Sequence, residues 1–61
     1  MRLKELRAAK GVTQKEVAEC VCCSAFAYSR YEREEREPDI AMLWKLADYF
    51  GVSVDYIIGR V

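Results

Sequence analysis

Apolar residues recur along this chain at three- and four-residue intervals, in blocks separated by short polar breaks. Leu3 and Leu6 form the first block, and Val17, Ala18 and Val21 the second. Tyr28 and Tyr31 follow, then Ile40, Leu43, Leu46, Ala47 and Phe50, and finally Val54, Ile57 and Ile58. Spacing of this kind lays an apolar stripe along one face of a helix. No segment alternates long enough to support a strand. The stripes therefore predict five helices around one core. Trp44 lies one position off the best stripe of the fourth helix; it is either a core edge, the favoured placement, or an exposed aromatic at a partner surface.

Capping residues sharpen the boundaries. "VTQKEV" is a capping box: Thr13 is the cap, Glu16 stands three residues on, and Val12 can staple onto Val17. "VSVDYI" repeats the arrangement with Ser53 as cap, between Val52 and Ile57. Ser24 is a further candidate cap, with Cys23 before it and Tyr28 as staple partner. Asp39 follows Pro38, which disfavours helical geometry at Glu37, so a new helix opens there. Gly11, Gly51 and Gly59 each follow an apolar periodic segment, where a left-handed terminating residue is wanted. The predicted helices run over about residues 1–10, 13–21, 24–33, 39–50 and 53–58.

Sixty-one residues make a single domain, residues 1–61, with a thin core. Apolar residues are 52% and charged residues 33%, a globular composition. No apolar run is long enough for a membrane span, and "MRLKELRAAK" lacks the apolar core of a signal peptide. A cytoplasmic location is expected, where thiols stay reduced; three cysteines are in any case an odd count for a disulfide framework. Histidine is absent, no glycine loop is built to cradle phosphate, and no nucleophile has an evident base. An enzyme is not expected, and neither a cofactor nor a small-molecule substrate is called for. Ten Lys/Arg balance ten Asp/Glu, whereas a dedicated nucleic-acid binder is usually basic. The balance is uneven along the chain: residues 1–15 are basic and residues 31–39 acidic. Solvated helix faces account for such a distribution equally well.

The second and third helices carry the most specific signal. A short helix, three turn residues and a capped helix, spanning about residues 13–33, form the layout of a DNA-binding helix-turn-helix. Together, "MRLKELRAAKGVTQKEVAE", "SRYEREEREPDI" and "LWKLADYFGVSVDYIIGR" resemble the Cro/cI-type (XRE) helix-turn-helix family, the lambda-repressor-like domains of bacteria and phage. The likeness covers almost the whole chain without a gap. It implies an all-α, five-helix bundle whose third helix enters the major groove of double-stranded DNA. It further implies that Gln14 contacts a phosphate, that Ala18 allows close helix packing, and that Ser24 begins the recognition helix. Ala25, Phe26, Ser29 and Arg30 match the groove-facing positions, and Tyr28 and Tyr31 match inward ones.

Helical spacing agrees in placing residues 25, 26, 29, 30 and 33 on one face. Arg30 can grip guanine O6 and N7, or simply a phosphate. Ala25 and Phe26 can only touch thymine methyls or fill space. The helix starts at Thr13 and Ser24 offer backbone N–H groups to phosphates. For Arg33, phosphate contact and a salt bridge to a nearby glutamate are both open.

The chain departs from the family pattern at two corners. The turn normally carries glycine or asparagine where this chain has Cys22, and the third helix normally stops at a glycine where Glu34 stands. "SRYEREERE" contains no breaker, so the third helix has a local preference to run on to about Arg36. A continuation of that kind would allow a domain-swapped dimer. Tertiary packing routinely overrides propensity, and the expected outcome is the ordinary fold with Glu34 forced left-handed, at a cost of about 1–2 kcal/mol.

Zinc sites usually take four Cys or His ligands, so no closed metal site is expected from three cysteines. Cys20 and Cys23 can converge across a helix end, and a shared or softer-metal site stays open as an alternative. The expected function is a small bacterial or phage transcriptional regulator that binds a palindromic operator as a homodimer. By analogy with the family, Tyr56 and Val61 are candidate dimer contacts. The chain ends where the domain ends, the expectation being a stand-alone regulator or a piece of a longer one. Two alternatives remain: a protein-interaction module on the same fold with weakened DNA binding, and a cysteine-based metal or redox sensor. Glu34, Ala25 and Phe26 together predict weak or narrowly specific DNA binding.

Overall fold

Side-chain caps fix where four of the helices begin. The Thr13 hydroxyl oxygen accepts the Glu16 N–H at 3.1 Å, and Ser24 accepts that of Ala27 at 3.0 Å. Asp39 accepts the Met42 N–H at 2.8 Å, and Ser53 accepts that of Tyr56 at 3.0 Å. The computed structural model describes residues 1–59, and these form α1 (Leu3–Lys10), α2 (Gln14–Cys20), α3 (Ala25–Glu32), α4 (Ile40–Phe50) and α5 (Val54–Ile58). Among the described residues there is no strand. The first helix lacks a side-chain cap; instead the Arg2 N–H donates to the Ile57 carbonyl at 2.8 Å, which ties the start of α1 to α5.

Every helix contributes to the core. Leu3, Val17, Val21, Tyr28, Leu46 and Ile57 are fully buried, with Ala18, Tyr31 and Ala47 beside them. Leu6, Leu43, Phe50 and Val54 pack against this cluster from partly buried positions. The stripe expected for α4 is thus shorter at its start. Ile40, the first residue of the helix, is 73% exposed. Trp44 is 62% exposed, not at the core edge. It is rotated by about 100° from Leu43, which takes it off the face that Leu43, Leu46 and Ala47 bury. Ile58 is likewise exposed at the surface while its neighbour Ile57 is buried.

Both unusual corners keep the ordinary turns. Cys22 and Glu34 adopt left-handed conformations, with φ 59° and 58°. At the end of α2 the Cys23 N–H donates to the Ala18 carbonyl at 2.9 Å, and Cys22 donates to Glu19 at 3.3 Å. At the end of α3, Glu35 donates to Arg30 at 3.0 Å and Glu34 to Tyr31 at 3.1 Å. These paired bonds are the Schellman pattern, normally closed by glycine at the left-handed position. The third helix therefore stops at Glu32 and does not continue toward Arg36, and α4 returns onto α1 within the same chain.

Candidate nucleic-acid interface

Helix α3 is pinned by two tyrosines and open on the opposite side. Tyr28 and Tyr31 are buried, while Ala25 and Arg33 are exposed and Ser29 and Arg30 half-buried. Phe26 is 71% exposed. The five outward residues thus share a face that the core does not use, at the helix that packs most closely on α2. The Ser24 side chain serves as the cap, so its oxygen is engaged with Ala27. The N–H groups of Ala25 and Phe26, in the first turn, have no place in the helical bonding pattern and can face an anion.

Gln14 opens α2 and is held by a network that sequence spacing does not reveal. Its Nε2 donates to Glu32 Oε1 at 2.9 Å. Arg7 Nε donates to Glu32 Oε2 at 2.7 Å, and a second Arg7 nitrogen reaches Glu32 Oε1 at 3.3 Å. Arg7 also donates to the Val12 carbonyl at 3.2 Å. Glu32 thereby joins α1, the start of α2 and the end of α3. Burial pushes its carboxyl pKa up, but hydrogen bonds from Arg7 and Gln14, with the Tyr28 hydroxyl nearby, outweigh burial and hold it below the usual carboxylate value. The hydrogen bond to Glu32 raises the Arg7 pKa in turn. The Tyr28 hydroxyl is buried near Glu32 without a hydrogen bond of good geometry; burial, and then the neighbouring carboxylate, push its pKa far up. Nε2 of Gln14 has a second hydrogen to donate, so fixing this side chain orients a donor at the start of α2.

The cations of the outward face are partly engaged. Arg33 pairs with Glu35 at 3.1 Å, the salt-bridge alternative of the two left open for it. Arg30 lies 3.9 Å from the same carboxylate and its guanidinium sits 5.9 Å from the centre of the Phe26 ring. Glu34 points to the N-terminal ammonium of Met1, at 2.7 Å. That ion pair holds the Glu34 pKa below its ordinary value, and it partly neutralises the charge that Glu34 brings to this side of the domain.

The remaining candidates lie apart from this face. Cys20 and Cys22 are exposed and Cys23 half-buried, and all three are free thiols. Burial pushes the Cys23 thiol up, which disfavours the thiolate that metal binding needs. Among the described residues no three Cys, Asp or Glu side chains are placed to share a metal ion, and no helix is long and apolar enough to cross a membrane. Tyr56, the candidate dimer contact on α5, is exposed with the Arg2 guanidinium 4.7 Å from its ring centre. Val61, the other candidate, lies outside the described residues.

Comparison with known proteins points the same way. The profile of the helix-turn-helix family matches residues 3–57. The chain is 46% identical over 59 residues to the HTH-type transcriptional regulator ImmR of Bacillus subtilis (strain 168), covering 97% of this chain and 46% of that protein. It is 40% identical over 58 residues to YobD, an uncharacterized HTH-type transcriptional regulator of the same strain, covering 95% and 52% of the two chains. It is 37% identical over 57 residues to YonR, an SPbeta prophage-derived uncharacterized HTH-type transcriptional regulator, covering 93% and 53%. The chain spans about half the length of these curated relatives. No solved structure matches it with significance. With five helices in the expected order and a family match that covers nearly all of them, the chain belongs to the XRE-type (Cro/cI-like) helix-turn-helix family.

Proposed function

We propose that this chain is the sequence-specific DNA-binding unit of a bacterial or phage transcriptional regulator, acting in the cytoplasm with α3 in the major groove. The observation that carries the reading is the two-sided character of α3. Tyr28 and Tyr31 fix it in the core while Ala25, Phe26, Ser29 and Arg30, with Arg33 at its C-terminal cap, lie on the face that the core leaves open. Arg30 and Ser29 supply hydrogen bonds to base edges, and Ala25 and Phe26 supply apolar contact to thymine methyls. Gln14, Arg33 and the first N–H groups of α3, behind the Ser24 cap, grip the backbone. The names of the relatives, each an HTH-type transcriptional regulator, support the same role. The protein binds as a homodimer to a palindromic operator with half-sites about 34 Å apart, or a multiple of that. Tyr56 on α5 is a candidate contact between the two copies.

Selection of bound DNA from a random pool, with oligomeric state measured on the same sample, tests this. The expected result is an enriched palindrome bound by two chains. A second reading is motivated by Glu35, which occupies the Arg33 guanidinium, and by exposed Ile40 and Trp44: a protein-interaction module on the same fold. A salt titration separates the two, because phosphate contacts strengthen as salt falls. No binding to mixed DNA even at low salt would leave the interaction module as the better account.

A further inference from the structure

Phe26 and Arg30 stand one helical turn apart on the outward face of α3, and their contact has a consequence for base reading. The Arg30 guanidinium lies 5.9 Å from the Phe26 ring centre, within the range of a cation–π pair. The shortest approach of Glu35 to the Arg30 guanidinium is 3.9 Å, at Nε, too far for a hydrogen bond. Its two terminal nitrogens are open, and these can take guanine O6 and N7 as a bidentate pair. Phe26 is 71% exposed and has no hydrogen-bonding group. The one apolar feature that a base presents in the major groove is the C5-methyl of thymine.

Spacing then decides which bases are read together. Side chains four apart on a helix start about 5–6 Å from each other. Base pairs rise by about 3.4 Å, so unconstrained tips at these positions reach across one or two steps. Contact between ring and guanidinium draws the tips together and favours a single step. Resting on the DNA-binding reading above, we propose that Phe26 and Arg30 act as one specificity unit that reads a thymine beside a guanine on adjacent base pairs. Arg30 takes the guanine and Phe26 the neighbouring methyl. The ring also holds the guanidinium in place before DNA arrives, which reduces the side-chain ordering left for binding. Because Phe26 senses a methyl and not a hydrogen-bond pattern, 5-methylcytosine serves in place of thymine at that position and unmethylated cytosine does not.

The test uses the full chain and the sequence obtained by selection. Each thymine next to a guanine is replaced by deoxyuridine, which removes the methyl and leaves pairing intact. One such position is expected to lose affinity by roughly threefold to fivefold, the worth of one buried methyl-sized group. At that position 5-methylcytosine binds more tightly than cytosine by a similar factor. Phe26→Ala abolishes both differences. Arg30→Ala weakens binding by about 10- to 100-fold and relaxes the guanine preference. Both residues are on the outward face, and circular dichroism checks that each variant keeps its helices. Wild-type protein indifferent to the methyl at every such thymine, or Phe26→Ala retaining the preference, overturns the proposal while DNA binding itself stands. Selection that enriches no sequence overturns both.

Discussion

Arg7 and Glu32 are separated by 25 residues and meet at 2.7 Å, joining α1 to the last residue of α3. The Glu32 side chain is only 3% exposed, and Gln14 donates to its other oxygen. This carboxylate therefore braces both helices of the helix-turn-helix from a single point. Glu32→Ala leaves Arg7 and Gln14 without their acceptor, and Arg7→Ala leaves a buried charge unpaired. Losing one partner of a buried pair costs about 3–5 kcal/mol; the partial exposure of Arg7 lowers the expectation here to about 2–3 kcal/mol for either variant. Urea denaturation measures it. A loss below about 0.5 kcal/mol for both variants would show that the brace is dispensable.

The same group sets an acid limit on stability. Glu32 is held below its ordinary value of 4.5 in the folded protein. Between the folded and unfolded values the unfolded chain binds more protons, so stability rises with pH there. The stabilisation is present in full above about pH 4.5 and is lost as pH falls through the folded pKa. Urea midpoints between pH 7 and pH 3 are expected to fall more steeply for the wild type than for Glu32→Gln. Parallel curves would assign the acid sensitivity to other carboxylates, Glu34 among them.

Cys22 and Glu34 both sit at left-handed positions that glycine fills without steric cost. Cys22→Gly is expected to stabilise the domain by about 0.5–1 kcal/mol, the relief of a strained φ less the added freedom of the unfolded chain. Glu34→Gly gains less, because it also removes the ion pair with the Met1 ammonium. Thermal unfolding of the two variants checks the order. Destabilisation by Cys22→Gly would mean that the thiol makes packing contacts worth more than the strain.

These corners also mark how far the sequence could be read. Helix starts were legible because Thr13, Ser24, Asp39 and Ser53 are caps, and a cap acts on an N–H only three residues away. The end of α3 was not legible from local preference, since "YEREERE" has no breaker; only the family pattern placed a turn at Glu34. Ile40 was misread because periodicity records the direction a side chain faces, not whether the bundle extends far enough to cover it. Trp44 is apolar and borders the stripe without belonging to it, so periodicity favours the core edge where the fold takes the exposed placement. The Gln14–Glu32–Arg7 network was invisible for another reason: its members lie 18 and 25 residues apart, and no periodic signal links them. The outward face of α3 was legible as a set of positions, but the contact of Phe26 with Arg30 and the claim of Glu35 on Arg33 appear only in the fold.

Glu35 is the side chain expected to restrain DNA binding most directly. It pairs with Arg33 at 3.1 Å and lies 3.9 Å from Arg30, so both cations at the end of α3 share one carboxylate. In water the exposed pair itself is worth only about 0–1 kcal/mol, so breaking it scarcely alters the fold. If Arg33 grips a phosphate as proposed, it leaves Glu35, and the freed carboxylate then faces an anionic backbone. Glu35→Gln keeps the shape and removes that charge. It is expected to tighten binding several-fold at low salt, with a smaller gain at high salt, since the repulsion is screened within about 10 Å at 0.1 M. Arg33→Ala is expected to lower the slope of log affinity against log salt by about one, as for the loss of one phosphate contact. Fluorescence anisotropy across a salt series measures both. An unchanged slope in Arg33→Ala, together with unchanged affinity in Glu35→Gln, would place the DNA backbone away from this end of α3.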